Sequence, residues 1–195
     1  MRNTKGVCGK GYKDRGTKVN TEGGKLDPAY RAWSNMLNRC YGDKERYLGY
    51  IDVEVCKEWL QYENFKDWFY SNDWEGKDLD KDIIGNGKLY SPETCCFVTR
   101  KVNNFIMKST KGLPFGSYQK ARKLPYVAMV RNPLTGIREE LGSFENSEAA
   151  HKVWLKRKGE IAQDLAETVE DKRVAKALRD KFTQNLKLSS DHYRR

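Results

Sequence analysis

Apolar residues begin to recur at three- and four-residue spacing from Asp27-Pro28 onward, where Tyr30, Trp33, Met36, Leu37 and Cys40 would share one face of a helix. Ile51, Val53 and Val55 then alternate as a short strand does. Cys56 to Trp59 leads into a second predicted helix, about 62–70, whose Phe65, Trp68 and Phe69 belong to a core. Further on, Leu79 leads into Asp80-Lys81-Asp82, Gly85-Asn86-Gly87 marks a turn, and Ser91-Pro92-Glu93 predicts a helix start. The order is strand, turn, strand or loop, then helix. It would gather polar side chains near one helix end, a layout suited to phosphate or metal chemistry.

The second half carries a different pattern. Tyr126 to Arg131 alternates as a strand, Asn132 to Gly136 reads as a turn, and Ile137 to Leu141 is the expected partner strand. Gly142-Ser143-Phe144 precedes Ser147-Glu148-Ala149-Ala150, a helix start with an acid in its first turn. Three short strands and a packed helix follow. The last forty residues are helix-forming, with Ile161, Leu165, Val169, Val174, Ala177 and Leu178 among many charges. Such a helix can pack back on the sheet, pair with another chain or stand free, and the pattern leaves the three open.

Length and charge narrow the class. With 195 residues the chain has room for one domain or two small ones, and 38% hydrophobic against 33% charged residues is a balance of modest cores. Nothing approaches an 18-residue apolar run, and the amino terminus lacks the apolar segment of a secretory signal, so a cytoplasmic protein with no membrane partner is expected. The net charge of +10 points to a polyanion. Its distribution is sharper: from Thr94 to Arg138 there are nine basic residues and no Asp or Glu. Residues 1–26 carry seven basic against two acidic residues without apolar spacing, and are expected to form a flexible basic arm. The five cysteines include no Cys-x-x-Cys pair and have no histidine near them, so buried free thiols are expected rather than a structural zinc. His151 falls in an expected helix and His192 in the tail, and neither reads as a ligand.

Two stretches resemble known families. Leu79-Asp80-Lys81-Asp82, Tyr90-Ser91-Pro92-Glu93-Thr94-Cys95, Thr99-Arg100-Lys101 and Asn103-Asn104 resemble the ββα-metal unit of HNH nucleases, and more closely a phage-encoded group of HNH-like, homing-type proteins. The likeness extends upstream through Trp33, Met36, Arg39-Cys40-Tyr41, Val55-Cys56, Glu58-Trp59 and Glu63-Asn64-Phe65. It implies catalytic positions at Asp80, Lys81, Asp82 and Thr94, and a Mg²⁺ or other divalent cation held by Asp80, Asn103 and Asn104 when the centre is active. Lys81 stands where the family keeps its general-base histidine, and Thr94 where it keeps an asparagine. A protonated lysine has no lone pair with which to take a proton from water.

Gly116, the Tyr126 to Arg131 strand, Leu141-Gly142-Ser143-Phe144 and Glu148-Ala149-Ala150 resemble the Apetala/ethylene-response type of DNA-binding domain. That family lays a three-stranded sheet in the major groove. The resemblance implies Tyr118, Lys120, Arg122, Arg131 and Arg138 facing DNA, beside Arg100 and Lys101. Tyr118 and Glu140 depart from the residues the plant domains favour, so no target sequence follows.

The expected protein is therefore α+β: a basic arm (1–26), an HNH-like module (27–110), a three-stranded antiparallel sheet packed on a helix (111–165), and a helical extension (166–195). Its expected partner is double-stranded DNA in the cytoplasm, that of the host cell if the protein is phage-encoded. It is either a metal-dependent endonuclease or a DNA-binding or regulatory protein that kept the scaffold without the chemistry, and the C-terminal helix offers a surface for self-association or a host protein.

Overall fold

The computed structural model describes residues 6–106, 116–119 and 124–191, with side chains through 183. The chain is α+β and divides into two compact units, Met1–Thr99 and Arg100–Arg195.

The first unit is organised on helix α1, Pro28–Tyr41. Asp27 caps it, its Oδ1 accepting from the amides of Ala29 at 2.8 Å and Tyr30 at 3.2 Å, and Pro28 supplies a first-turn residue with no amide to satisfy. The same oxygen accepts from the hydroxyls of Tyr62 and Tyr70, each at 3.1 Å, tying the start of α1 to α2 (Tyr62–Tyr70). Trp33, Met36, Leu37 and Cys40 form the buried face that the spacing predicts. Trp33 donates its indole N–H to the Trp59 carbonyl at 2.6 Å. Around this pair gather Val53, Val55, Phe65, Phe69 and Tyr90, with Trp68 stacked on Phe97 at 5.3 Å.

Two minimal sheets complete the unit. β1 (Glu54–Val55) pairs parallel with β3 (Leu89–Tyr90), and β2 (Lys77–Asp80) pairs antiparallel with β4 (Cys96–Thr99). Ile51, expected to open a strand, is exposed, and only Glu54–Val55 of that stretch pairs.

Ser91-Pro92-Glu93 does not start a helix. Thr94 donates its hydroxyl to the Leu89 carbonyl at 2.7 Å and accepts from the Ser91 amide at 3.1 Å, closing a turn from which β4 leaves. The Ser-Pro signature is common to turns and helix starts, and the following Cys-Phe-Val-Thr run favours the strand. Residues 6–26, expected as a flexible arm, are instead bonded into the unit. The Tyr12 amide donates to Leu60 at 2.8 Å and its carbonyl accepts from Tyr62 at 2.9 Å, while Glu63 accepts from the Thr17 hydroxyl and the Asp14 amide. Gly11 is buried, and a side chain there would press on Trp33 and Leu37.

The second unit begins at Arg100, with α3 (Arg100–Ile106). The boundary expected near 110 falls earlier because Phe105 of α3 packs its ring 5.3 Å from Phe182. β5 (Ser117–Gln119), β6 (Tyr126–Arg131) and β7 (Arg138–Phe144) form one antiparallel sheet in that order. The turn at 132–136 is closed by Asn132, whose amide donates to Ile137 at 2.9 Å, and by Gly136 at φ +74°. α4 (Ser147–Glu167) is capped by Asn146, which accepts from the Ala149 amide at 2.8 Å.

α5 (Lys172–Asp191) packs along α4, burying Val174, Ala175, Leu178 and Phe182. Of the three roles left open for this segment, its described apolar stripe serves its own unit. Among the described residues, no helix is long and apolar enough to cross a membrane.

Candidate nucleic-acid interface

Two regions carry the residues singled out from the sequence, one in each unit. In the first, Asp80 ends β2, and Lys81 and Asp82 open the connection toward β3. Asp80 is buried, and its Oδ1 accepts from the amides of Asp82 and Ile83, both at 2.8 Å. The carboxylate thereby holds the turn. Burial, the largest influence, raises its carboxyl above the ordinary range, with the two amides working the other way.

Lys81 is buried too. Its Nζ donates to Asp82 Oδ1 at 2.9 Å and lies 5.0 Å from the Tyr50 ring centre and 5.6 Å from that of Tyr90. In that setting the side chain serves as a hydrogen-bond donor packed against two aromatic rings. Thr94 is committed to the turn described above.

The resemblance implies a divalent cation held by Asp80, Asn103 and Asn104. Asp80 Oδ1 already serves two amides, and Asn103 and Asn104 stand on α3 of the second unit. Among the described residues, no three His, Cys, Asp or Glu side chains gather as a metal-binding group. No reaction step is routed through a cation at Asp80.

The cysteines are free thiols, with Cys40, Cys95 and Cys96 buried. Burial pushes Cys40 and Cys56 up to about 11 and Cys95 up to about 12, so these groups stay protonated at neutral pH. A cleft of about 520 Å³ in the same unit is lined by Lys10 and Lys44 but also by Asp52 and Glu54. Its mixed charge gives it no preference for an anion.

In the second unit, Arg131 and Arg138 stand directly opposite each other across β6 and β7, and both are exposed. Neighbouring Glu139 points the other way, toward α4, where Arg157 Nε donates to its Oε2 at 2.6 Å. Alternation therefore puts Arg131 and Arg138 on the face turned from α4. Hydrogen bonds from Arg157, first, and from Asn132 hold the Glu139 carboxyl below its usual range.

Like charges directly opposite across a sheet repel. Among the described residues no carboxylate lies within ion-pair distance of either arginine. Tyr118 is opposite Val127 and shares this face by alternation along β6. Val127 is fully buried, so the open part of the face is the end at Arg131 and Arg138, with Glu140 beside them. Arg100 and Lys101 are exposed at the start of α3, and Lys120 and Arg122 lie outside the described residues.

The sequence reading missed two clusters. Arg39, Tyr50 and Tyr90 surround Lys81, although Arg39 and Tyr90 both lie within the stretches that carry the nuclease resemblance. Lys158 is buried on α4 with its Nζ 3.7 Å from the Phe105 ring centre. Its place among Leu155, Ile161, Ala162 and Leu165, at helical spacing, was the available signal. Comparison of the chain with family models, curated proteins and solved structures finds no match.

Proposed function

We propose that this protein binds double-stranded DNA through its second unit, with the open end of the three-stranded sheet on the phosphate backbone and groove edges. The Arg131–Arg138 pair carries the reading: two exposed guanidinium groups opposed across β6 and β7 on the face turned from α4. A polyanion relieves their repulsion and the charge of +10 favours its approach. The acid-free run from Thr94 to Arg138 supports the same reading. The proposed place of action is the cytoplasm, that of the host cell if the protein is phage-encoded.

The test is duplex affinity across salt. Binding is expected to fall steeply from about 50 to 200 mM salt, and Arg131→Ala or Arg138→Ala to reduce the log–log slope by roughly one unit if the lost contact is to phosphate. If the arginine reaches a base edge, the loss is about 1–3 kcal/mol and specific to sequence. Affinity independent of salt, or unchanged in both variants, removes the proposal.

Between a nuclease and a binding protein that kept a nuclease-like scaffold, one observation favours the second. Lys81, at the position of the family's base, is buried and ion-paired with Asp82. General-base catalysis contributes a factor of about 10²–10⁴, so the wild-type protein is expected to nick supercoiled plasmid slowly or not at all with Mg²⁺ or Mn²⁺. Brisk nicking abolished by Asp80→Ala refutes the binding-only reading. Nicking that appears only in Lys81→His identifies a nuclease centre lacking just its base.

A further inference from the structure

Within the first unit, two cations converge on the same two tyrosines. Arg39, in the last turn of α1, places its guanidinium carbon 5.8 Å from the Tyr50 ring centre, and Lys81 Nζ lies 5.0 Å from that ring. Tyr90, buried on β3, meets the Arg39 guanidinium with its hydroxyl and has Lys81 Nζ 5.6 Å from its ring centre. Four separate segments thus deliver a cation or an aromatic face to one place.

The charges there do not balance. Asp82 pairs with Lys81, whereas among the described residues no carboxylate lies within ion-pair distance of Arg39. The placement of Asp82 is itself constrained. Gly87, at φ +78°, closes against it so tightly that a Cβ there would fall 2.5 Å from Asp82 Oδ1.

The side chains differ in access. Lys81 is 6% exposed and its charge is held behind the tyrosines, while Arg39 opens to solvent. A planar fork of N–H donors at the surface, with a second cation nearby and one carboxylate for the two positive charges, suits a tetrahedral oxyanion. It does not suit a carboxylate-poor cation site or an apolar ligand. Aromatic rings hold both cations in place without neutralising them.

We propose that Arg39 and Lys81, set about the Tyr50 and Tyr90 rings, form a phosphate-binding site, with Arg39 as the contacting residue and Lys81 as the supporting charge. Resting on the DNA-binding reading, the occupant is a backbone phosphodiester, which gives the first unit its own hold on DNA. Lys81 then has work in the nuclease-like scaffold that is independent of proton transfer. The same chemistry would accept free phosphate or a nucleotide, and the two sources are separable.

The experiment uses the full chain with Arg39→Gln, Arg39→Lys and Asp82→Asn, all exposed positions, and two readouts. In salt-dependent duplex binding, Arg39→Gln should lower the log–log slope by roughly one unit for every sequence tested, and Arg39→Lys should keep most of it. Asp82→Asn removes the carboxylate paired with Lys81 and should tighten binding, an outcome that a purely structural role for the cluster does not produce. In the second readout, inorganic phosphate is titrated while the Arg39 Nε–H resonance is followed by NMR.

A reduced slope with a phosphate-induced shift supports a DNA phosphate at this site. A phosphate-induced shift in a wild-type protein that binds no duplex keeps the site, makes its ligand a small phosphate compound, and ends the DNA reading. Unchanged slopes in Arg39→Gln and Asp82→Asn with no phosphate-induced shift overturn the site. Loss of duplex binding in Arg131→Ala would in that case leave the DNA reading intact.

Discussion

Trp33→Ala is expected to destabilise the first unit by about 3–5 kcal/mol, a large part of the roughly 5–15 kcal/mol that holds a domain together. The indole is fully buried, with the Tyr30 and Tyr62 rings 5.6 and 5.4 Å away. Its removal opens a cavity and also strips the Trp59 carbonyl of the N–H that satisfies it at 2.6 Å. The amino-terminal segment is affected as well, because Gly11 sits where a Cβ would come within 2.8 Å of Trp33 Cζ2. Trp33→Phe keeps most of the volume and loses the bond, so it should fall between wild type and alanine. Urea denaturation followed by circular dichroism checks both variants, and an alanine variant within about 1 kcal/mol of wild type would show that Trp33 is not the centre of this core.

Lys158→Met is expected to stabilise the second unit at neutral pH, by roughly 1–3 kcal/mol. Lys158 Nζ lies among three rings, 3.7 Å from the centre of Phe105, 5.3 Å from Trp154 and 5.7 Å from Phe182. No carboxylate among the described residues is within ion-pair distance of it. Burial lowers its pKa from 10.5 to about 8. A lysine depressed in the folded state favours unfolding wherever the unfolded chain is protonated more fully. Stability is therefore greatest above about pH 10.5, falls as the pH drops toward 8, and stays reduced below that. At about 1.4 kcal/mol per pKa unit the full effect comes to somewhat over 3 kcal/mol, and ring attraction for the ammonium works against it.

Methionine fills the same volume without charge, so its gain should be present at pH 7 and largely gone above pH 10. Denaturation midpoints of the two proteins at both pH values provide the measurement. A methionine variant less stable than wild type at pH 7 would mean that the ring attraction outweighs desolvation.

The amino-acid sequence by itself determined the elements whose signals are local. α1 was legible because Asp27-Pro28 precedes apolar residues at helical spacing, and the same residues cap and face the helix in the structure. β6, the Asn132 to Gly136 turn and the start of α4 were legible for the same reason, since alternation, a glycine at φ +74° and an Asn cap act within a few residues. The β7 partner was placed on the right segment but runs on to Phe144, because a register shift opposite Ala128 and Met129 is set between strands and not along one.

Tertiary structure alone decided what depends on residues distant in the chain. Residues 6–26 became ordered through backbone bonds to Leu60 and Tyr62 that leave no apolar pattern. The surroundings of Lys81 and Lys158 were settled in the same way. Each ammonium lies over rings brought from other segments, and that setting cannot be read until the chain has folded around it.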